Sequence, residues 1–237
     1  MSSRSDSFPS APDLVAVISG KGGVGKTLFS LGVAASLNHR DQSTALVDLD
    51  PQAGATLAAG VPRPGEPLQA QPDRRHGFDL FPSSRTLVLA SAECIARRVR
   101  GLPGTHRVVV ADLSPALTDA AHAAVLPLAS LVLIVARADA AGLANVEESV
   151  HLCQELGRRF LVVPNMLTHT KLAREAHELL RQQYAPNVVY GSIPLEARAA
   201  EAAAACKPVT DYAPHSATAR AIDSIVGEVL DTLGGWE

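Results

Sequence analysis

A run of eight residues near the start of the chain has the composition of a phosphate-binding loop. It reads Gly20-Lys21-Gly22-Gly23-Val24-Gly25-Lys26-Thr27. The run matches the pattern G-x-x-x-x-G-K-[ST], in which glycines let several backbone N–H groups point at one phosphate. A helix that begins at the end of the loop adds partial positive charge there. In such a loop Lys26 neutralises the β- and γ-phosphates and the hydroxyl of Thr27 reaches Mg²⁺, so the motif predicts a site for a nucleoside triphosphate.

A second lysine, Lys21, stands inside this loop directly after its first glycine. A single lysine in a loop is most often a solvated surface charge. Here the backbone is expected to fold around a ligand with several negative charges. Lys21 could therefore also reach the nucleotide of its own chain or of a neighbouring subunit, and the residues alone leave these possibilities open.

Two apolar segments end in carboxylates that could serve the same ligand. Asp48 and Asp50 follow one segment, and Asp112 ends the other, at 107–112. Ligands bind at the carboxyl ends of the strands in open α/β sheets. Of the first two aspartates, one could hold a water in line with the γ-phosphate and the other could support the Mg²⁺ shell, while Asp112 could act on Mg²⁺ through water. For each aspartate taken alone, the capping of a loop is the competing interpretation.

The elements that must position these residues alternate along the chain. Short apolar runs, rich in β-branched residues, are typical of strands buried between two helical layers. These runs are 14–19, 44–48, 108–112, 131–136 and 160–163, with further candidates at 78–81 and 188–192. Helical patterns lie at 26–38, 143–156, 172–183, 197–206 and 218–233. This alternation predicts an α/β fold: a mostly parallel, twisted sheet flanked by helices on both faces.

The predicted organisation is one nucleotide-binding domain at 13–237. A Ser- and Pro-rich stretch at 1–12 precedes it, and we expect that stretch to be disordered. The segment 60–77 carries four prolines and three glycines, which predicts a flexible surface loop. Loops of this length are either functional or disordered, and the sequence does not decide between the two.

Composition excludes several other classes of protein. Hydrophobic residues make up 47% of the chain and the net charge is −3, so the chain is neither disordered nor drawn onto nucleic acid by a global positive field. Aromatic residues make up 4%, which argues against a surface on which bases stack. Three scattered cysteines form neither a disulfide framework nor a thiolate metal site. The histidines show no metal-binding spacing, and His122 is expected to be surface-exposed or partly buried without chemistry.

Taken together, three segments resemble the ParA/MinD family of ATPases, P-loop NTPases whose deviant Walker A motif carries an additional lysine. They are the loop with Lys21, the run Asp48-Leu49-Asp50-Pro51-Gln52, and the run Asp112-Leu113-Ser114-Pro115. Weaker similarity follows at Asn165-Met166-Leu167, Ile193-Pro194 and Lys207-Pro208-Val209. The resemblance covers about residues 14–233, is closest to the ParA-type (Soj-like) partition ATPases, and is weak across 60–77.

The resemblance implies a role for each site residue. Members close as a homodimer around two ATP molecules, so Lys21 is expected to reach the partner's phosphates and Asp50 to position the attacking water. The implied catalytic residues are Lys21, Lys26 and Asp50. The implied Mg²⁺ site consists of Thr27, Asp48 and Asp112. The implied nucleotide-binding residues are the loop from Gly20 to Thr27 with Leu28 and Asn165.

The same resemblance implies partners and a cellular role. The ATP dimer of ParA-like members binds DNA non-specifically, and a ParB-like partner protein stimulates its slow hydrolysis of ATP. Such cycling segregates or positions plasmids, chromosomes or other cargo, which implies a cytoplasmic, nucleoid-associated protein. Two departures leave the hydrolysis rate open: Leu28 stands where members usually have Thr, and Ser114 replaces a usual proline.

Basic residues in the second half of the chain are candidates for DNA contact. On the helix at 172–183 and directly before it, Lys171, Arg174 and Arg181 share one face with Glu178. The apolar residues Leu172, Ala176, Leu179 and Leu180 are expected on the opposite, buried face. Arg198 matches a basic position that contacts DNA in ParA-like proteins. An ordinary solvated face is the competing interpretation, and Glu178, Glu196 and Glu201 would weaken the patch.

The last helix argues against membrane binding. Its polar side carries Asp223, Glu228 and Asp231, with no Lys or Arg after Arg220, and an acidic face is repelled by anionic lipid.

Two alternatives to a DNA-binding partition ATPase stay open. One is an ATP-dependent regulatory or scaffold protein that binds a protein complex and not DNA. The other is a P-loop enzyme that carboxylates or amidates a small molecule, although no second substrate-binding constellation is evident.

Overall fold

A six-stranded parallel sheet forms the centre of the chain in a computed structural model, which describes residues 11–102, 104–137 and 139–234. The strand order is β3-β2-β4-β1-β5-β6, and every pairing is parallel. The strands are β1 (Asp13–Ile18), β2 (Thr44–Leu49), β3 (Asp79–Phe81), β4 (Val108–Leu113), β5 (Leu131–Arg137) and β6 (Phe160–Asn165). The predicted α/β fold is therefore confirmed.

Helices cover both faces of this sheet. They are α1 (Lys26–His39), α2 (Gly54–Ala58), α3 (Ala92–Arg100), α4 (Ala120–Val125), α5 (Ala140–Glu155), α6 (Lys171–Tyr184), α7 (Ala197–Ala204), α8 (Val209–Tyr212) and α9 (Ala217–Gly234). Alternate residues of β1 enter opposite cores: Val15 and Val17 pack with α1 and α9, while Ala16 and Ile18 pack with α3, α4 and α5. The central strands are buried on both faces, which explains why their sequences are continuously apolar.

Two sequence-based expectations about elements were wrong, and several helices were missed. The segment 188–192 is not a strand: it makes a single bridge from Val188 to Val162, and the Tyr190 N–H then donates to Glu228 instead of continuing a ladder. On α6, Leu172 and Leu179 are 63% and 51% exposed, because the face that packs inward carries the smaller Ala173 and Ala176 with Leu180. Four helices were not predicted: α2, α4 and α8 span six residues or fewer, whereas in the nine-residue α3 the buried Ile95 and Val99, four positions apart, were a signal that was missed.

The segment 60–77 has little regular structure, as expected for a surface loop, apart from a 3₁₀ turn at Pro67–Gln69. It is tied to the domain by Arg63, which donates to the Gln52 carbonyl, and by Arg98 of α3, which donates to the Ala70 carbonyl. Its flexibility stays a prediction. Of the N-terminal stretch expected to be disordered, residues 1–10 lie outside the described residues. No helix within the described ranges has the length and apolar character needed to cross a bilayer.

Candidate nucleotide-binding site

The predicted phosphate-binding loop connects β1 to α1 at the carboxyl edge of the sheet. Gly23 and Gly25 have positive φ angles of 76° and 84°, which favour glycine. At Gly25 a side chain is excluded as well, because a Cβ there would lie 2.5 Å from the Asn165 amide nitrogen. An open cleft is lined by residues 21–28 with Ser19, Asp50 and Pro115. The loop, one aspartate after β2 and the segment after β4 are therefore brought together.

The second lysine of the motif is buried and forms an ion pair. Lys26 is 6% exposed, and its ammonium lies 2.8 Å from Oδ1 of Asp112, which is completely buried at the end of β4. The Thr27 hydroxyl donates to the other carboxylate oxygen at 3.0 Å. Ser30, one turn further along α1, donates to Oδ1 at 2.9 Å. The sequence prediction missed Ser30; a polar residue on the buried side of α1 was the available signal.

Lys21 lies in the opposite environment. Its side chain is exposed at the rim of the cleft, and no described residue offers its ammonium an ion pair or hydrogen bond. Only its backbone carbonyl is engaged, as the acceptor of the Ser19 hydroxyl. The two lysines of the loop therefore differ. Lys26 forms an ion pair with a buried carboxylate, whereas the exposed ammonium of Lys21 is accessible to an anion outside its own subunit.

Asp48 is buried beside Asp112, since β2 and β4 pair with these two residues in register. Its carboxylate accepts hydrogen bonds from the N–H and the hydroxyl of Thr56 and from the Asp50 N–H. Burial, and then the charge of Asp112, raise the pKa of Asp48 to about 7. Both oxygens of Asp48 are thus engaged by the chain itself, and its predicted part in a Mg²⁺ shell stays a prediction. Thr56, which anchors this carboxylate, was not identified from the sequence.

Asp50 lies at the mouth of the site. It is 8% exposed and lines the cleft, and one of its oxygens accepts the Gln52 N–H at 2.8 Å. This hydrogen bond fixes the carboxylate in the turn after β2. The position suits the predicted task of orienting a water molecule near a bound phosphate.

The donors around Thr27 fit a magnesium ion. Mg²⁺ prefers oxygen ligands and usually takes only one or two from the protein, the rest coming from phosphate and water. The Thr27 hydroxyl, the Asp50 carboxylate after β2 and the Asp112 carboxylate near the end of β4 are such oxygens. The backbone of Gly54 passes so close that a Cβ there would lie 3.0 Å from the Thr27 Oγ1. Glycine at this position therefore keeps the surroundings of the hydroxyl open.

Asn165 braces the loop from β6. Its amide nitrogen donates to the Val24 carbonyl at 2.7 Å, and its oxygen accepts the Met166 N–H. A mostly apolar pocket lies beside it, lined by Leu28, Met166, Pro194 and Leu195 among others. Such a pocket next to a phosphate-binding loop suits the base of a nucleotide. Base contact by Asn165 and Leu28 stays a prediction.

The segment after β4 folds back on itself. The Ser114 hydroxyl donates to the Asp119 carboxylate. His122, expected to be surface-exposed or partly buried, is instead 2% exposed, and neither ring nitrogen has a hydrogen-bond partner among the described residues. Burial lowers the pKa of His122 to about 4, and the charge of nearby Asp119 opposes this shift.

Two of the four predicted DNA contacts form ion pairs with carboxylates of the chain itself, and a third donates to a backbone carbonyl. Lys171 pairs with Glu175 at 3.5 Å and Arg198 with Glu201 at 2.6 Å. Arg181 donates to the Tyr190 carbonyl. Within the described part of the chain, Arg174 is the one of these four residues whose side chain has neither an ion pair nor a hydrogen bond.

Comparisons with known proteins agree with this fold. Residues 15–209 match the family model of the CobQ/CobB/MinD/ParA nucleotide binding domain. The chain is 30% identical to the chromosome-partitioning ATPase Soj of Thermus thermophilus, over 91% of this chain and 94% of that protein. Among solved structures, apo McdA from Cyanothece superposes with a TM-score of 0.80 at 20% identity, covering 92% of this chain and 99% of that one. MinD from Pyrococcus horikoshii, complexed with Mg-ADP, gives 0.79 at 18% identity and covers 94% and 98%.

Proposed function

The chain belongs to the family of CobQ/CobB/MinD/ParA nucleotide-binding domains, and from this premise we propose that it is a ParA-type ATPase that dimerises on binding ATP. The dimer binds DNA non-specifically, and a ParB-like partner protein stimulates hydrolysis. Repeated cycles segregate or position a plasmid, a chromosome or another cargo. A cytoplasmic, nucleoid-associated location belongs to the same proposal. Thirty per cent identity to a chromosome-partitioning ATPase over nearly the full length supports it.

The environment of Lys21 is the single observation that carries the proposal. Within its own subunit the β- and γ-phosphates are served by Lys26 and by the loop's N–H groups. Lys21 is exposed at the rim, and no partner for its ammonium is found among the residues described. A second subunit that presents its own triphosphate across the cleft supplies the missing anion. Because ADP lacks the γ-phosphate, contact across the interface depends on the state of the nucleotide.

The remaining site residues have complementary tasks in this proposal. The ammonium of Lys26 turns partly or fully from the Asp112 carboxylate to the phosphates and neutralises their charge. Thr27 and Asp112 would hold a Mg²⁺ ion, which when bound would supply positive charge to the phosphates. Asp50 orients the attacking water from the turn after β2. Asn165 keeps the loop in shape from behind.

A second candidate function is supported by the surface of α6 and α7. Three of the four predicted DNA-binding side chains are already engaged by carboxylates or a carbonyl of this chain. Such a surface attracts DNA weakly, since non-specific affinity comes from the neutralisation of phosphates by free basic groups. This favours, as the alternative, an ATP-dependent regulatory or scaffold protein that binds a protein complex and not DNA.

Sedimentation with plasmid DNA at low salt separates the two functions. The partition function predicts that the protein co-sediments with DNA in the presence of ATP and Mg²⁺ and stays in the supernatant with ADP. Protein that dimerises with ATP but never sediments with DNA supports the scaffold function. Protein that binds no nucleotide contradicts both.

A further inference from the structure

We propose that Ser30 is a positioning residue that holds the Asp112 carboxylate in place when Lys26 turns its ammonium to a bound phosphate. The inference rests on the proposed nucleotide binding and goes beyond it, because Ser30 lies outside the loop motif. Its side chain is completely buried, one turn after Lys26 on α1. The hydroxyl lies 2.9 Å from Asp112 Oδ1 and 3.1 Å from the Lys26 carbonyl oxygen.

The carboxylate is the acceptor that needs this hydroxyl. A serine hydroxyl has one hydrogen, so it donates to one of the two oxygens at a time. In an α-helix the Lys26 carbonyl is also the acceptor of the backbone N–H four residues later, which is that of Ser30 itself. Hydrogen bonds to an ionised carboxylate are roughly twice as strong as those between neutral groups. The Ser30 hydroxyl therefore donates to Asp112.

The importance of this hydrogen bond depends on the state of the site. Without nucleotide, Asp112 receives an ammonium from Lys26 and hydroxyl donors from Thr27 and Ser30. A bound triphosphate competes for Lys26, and Thr27 turns its oxygen to the cation. Ser30 is the one donor of the three that contacts neither phosphate nor metal. Because a buried carboxylate without donors is costly, Ser30 stabilises the nucleotide-bound state more than the free state.

The chain offers a matched control for this role. Ser36 lies on the same helix, is 1% exposed, and donates its hydroxyl to the carboxylate of Asp223 at 2.7 Å. Asp223 belongs to α9 and does not line the cleft. Loss of either hydroxyl removes a hydrogen bond from a buried serine to a carboxylate, although Asp223 is 54% exposed, and only the loss at position 30 affects the nucleotide site.

The test measures Kd for ADP and ATP with Mg²⁺, together with thermal unfolding without nucleotide, for Ser30→Ala, Ser30→Thr and Ser36→Ala. We expect Ser30→Ala to raise Kd on the order of tenfold, and Ser30→Thr, which keeps a hydroxyl, to bind close to wild type. Ser36→Ala should lower the unfolding temperature but leave Kd within about twofold. If Ser30→Ala does not fold, Ser30→Cys replaces it, since a thiol fills the space but is a weak donor.

Two results overturn the proposal. If Ser30→Ala or Ser30→Cys binds nucleotide with the Kd of wild type, Ser30 does not have the proposed positioning role, and the proposed function is unaffected. If Ser36→Ala loses as much nucleotide affinity as Ser30→Ala, the loss comes from a general destabilisation of α1 and not from the contact with Asp112. If the wild-type chain itself binds neither nucleotide, the proposed function and the role of Ser30 fail together.

Discussion

The ammonium of Lys26 and the carboxylate of Asp112 form an ion pair of 2.8 Å that is almost completely removed from solvent. The pair joins the first turn of α1 to the end of β4, 86 residues later in the chain. A group needed for a phosphate ligand is thus held in the interior by a carboxylate of the adjacent strand. Lys26 and Asp112 therefore both stabilise the fold and belong to the proposed nucleotide site.

Replacement of Lys26 by alanine should destabilise the chain even without nucleotide. The substitution leaves Asp112 buried without its counter-ion, which costs about 3 kcal/mol or more in the free energy of unfolding. Denaturant unfolding of the nucleotide-free protein measures this loss. Lys21→Ala is the control from the same loop, and since Lys21 is exposed it should change stability by less than about 0.5 kcal/mol. Equal stability of both variants would show that the buried pair is unimportant for folding.

Replacement of Asp50 by alanine should separate nucleotide binding from hydrolysis. The carboxylate lines the cleft but, in this account, only orients water, so ATP affinity should change little while turnover falls on the order of 10²-fold or more. ADP release under saturating ATP, with Kd measured in parallel, checks both values. A variant that hydrolyses ATP at the wild-type rate excludes Asp50 from the chemistry.

The charge pairs on α6 and α7 predict unequal effects on DNA binding. Arg174→Ala should weaken ATP-dependent binding and reduce its salt dependence, because no described residue neutralises this side chain. Arg198→Ala should have the smaller effect, since Arg198 lies 2.6 Å from Glu201. Glu201→Gln frees Arg198 and should strengthen binding at low salt. Filter binding across a salt series measures all three, and a weaker Glu201→Gln complex contradicts this interpretation.

The buried His122 predicts a stability that depends on pH. Burial lowers its pKa in the folded chain to about 4, from the ordinary 6.5. The unfolded chain therefore takes up this proton at higher pH than the folded chain does. The resulting stability is fully present above pH 6.5 and is lost as the pH falls from 6.5 to about 4, amounting to about 3 kcal/mol.

His122→Leu should remove this part of the acid sensitivity. The measurement is the free energy of unfolding at pH 7 and at pH 4.5 for wild type, His122→Leu and His151→Gln, an exposed histidine that serves as control. The difference between the two pH values should shrink in the first variant alone. An unchanged difference in His122→Leu means that other groups cause the acid sensitivity.

Local patterns predicted the loop and the central strands, while the network around the loop depends on contacts between distant residues. The motif near Gly20 and the apolar runs of β1 and β4 are signals within a few residues of each other. The partners of Asp112 are different: Ser30 lies 82 residues away, and no short pattern connects them. On α6 the helical period was correct, but the face that packs is set by neighbouring elements and not by the largest apolar residues.

Measuring the molar mass of the protein with bound ATP tests most directly whether Lys21 reaches the nucleotide of a second subunit. With ATP and Mg²⁺, light scattering coupled to size exclusion should give twice the 24.8 kDa mass of one chain, and with ADP the monomer mass. Lys21→Ala should bind ATP and remain a monomer. A Lys21→Ala variant that dimerises with ATP as completely as wild type would contradict the account.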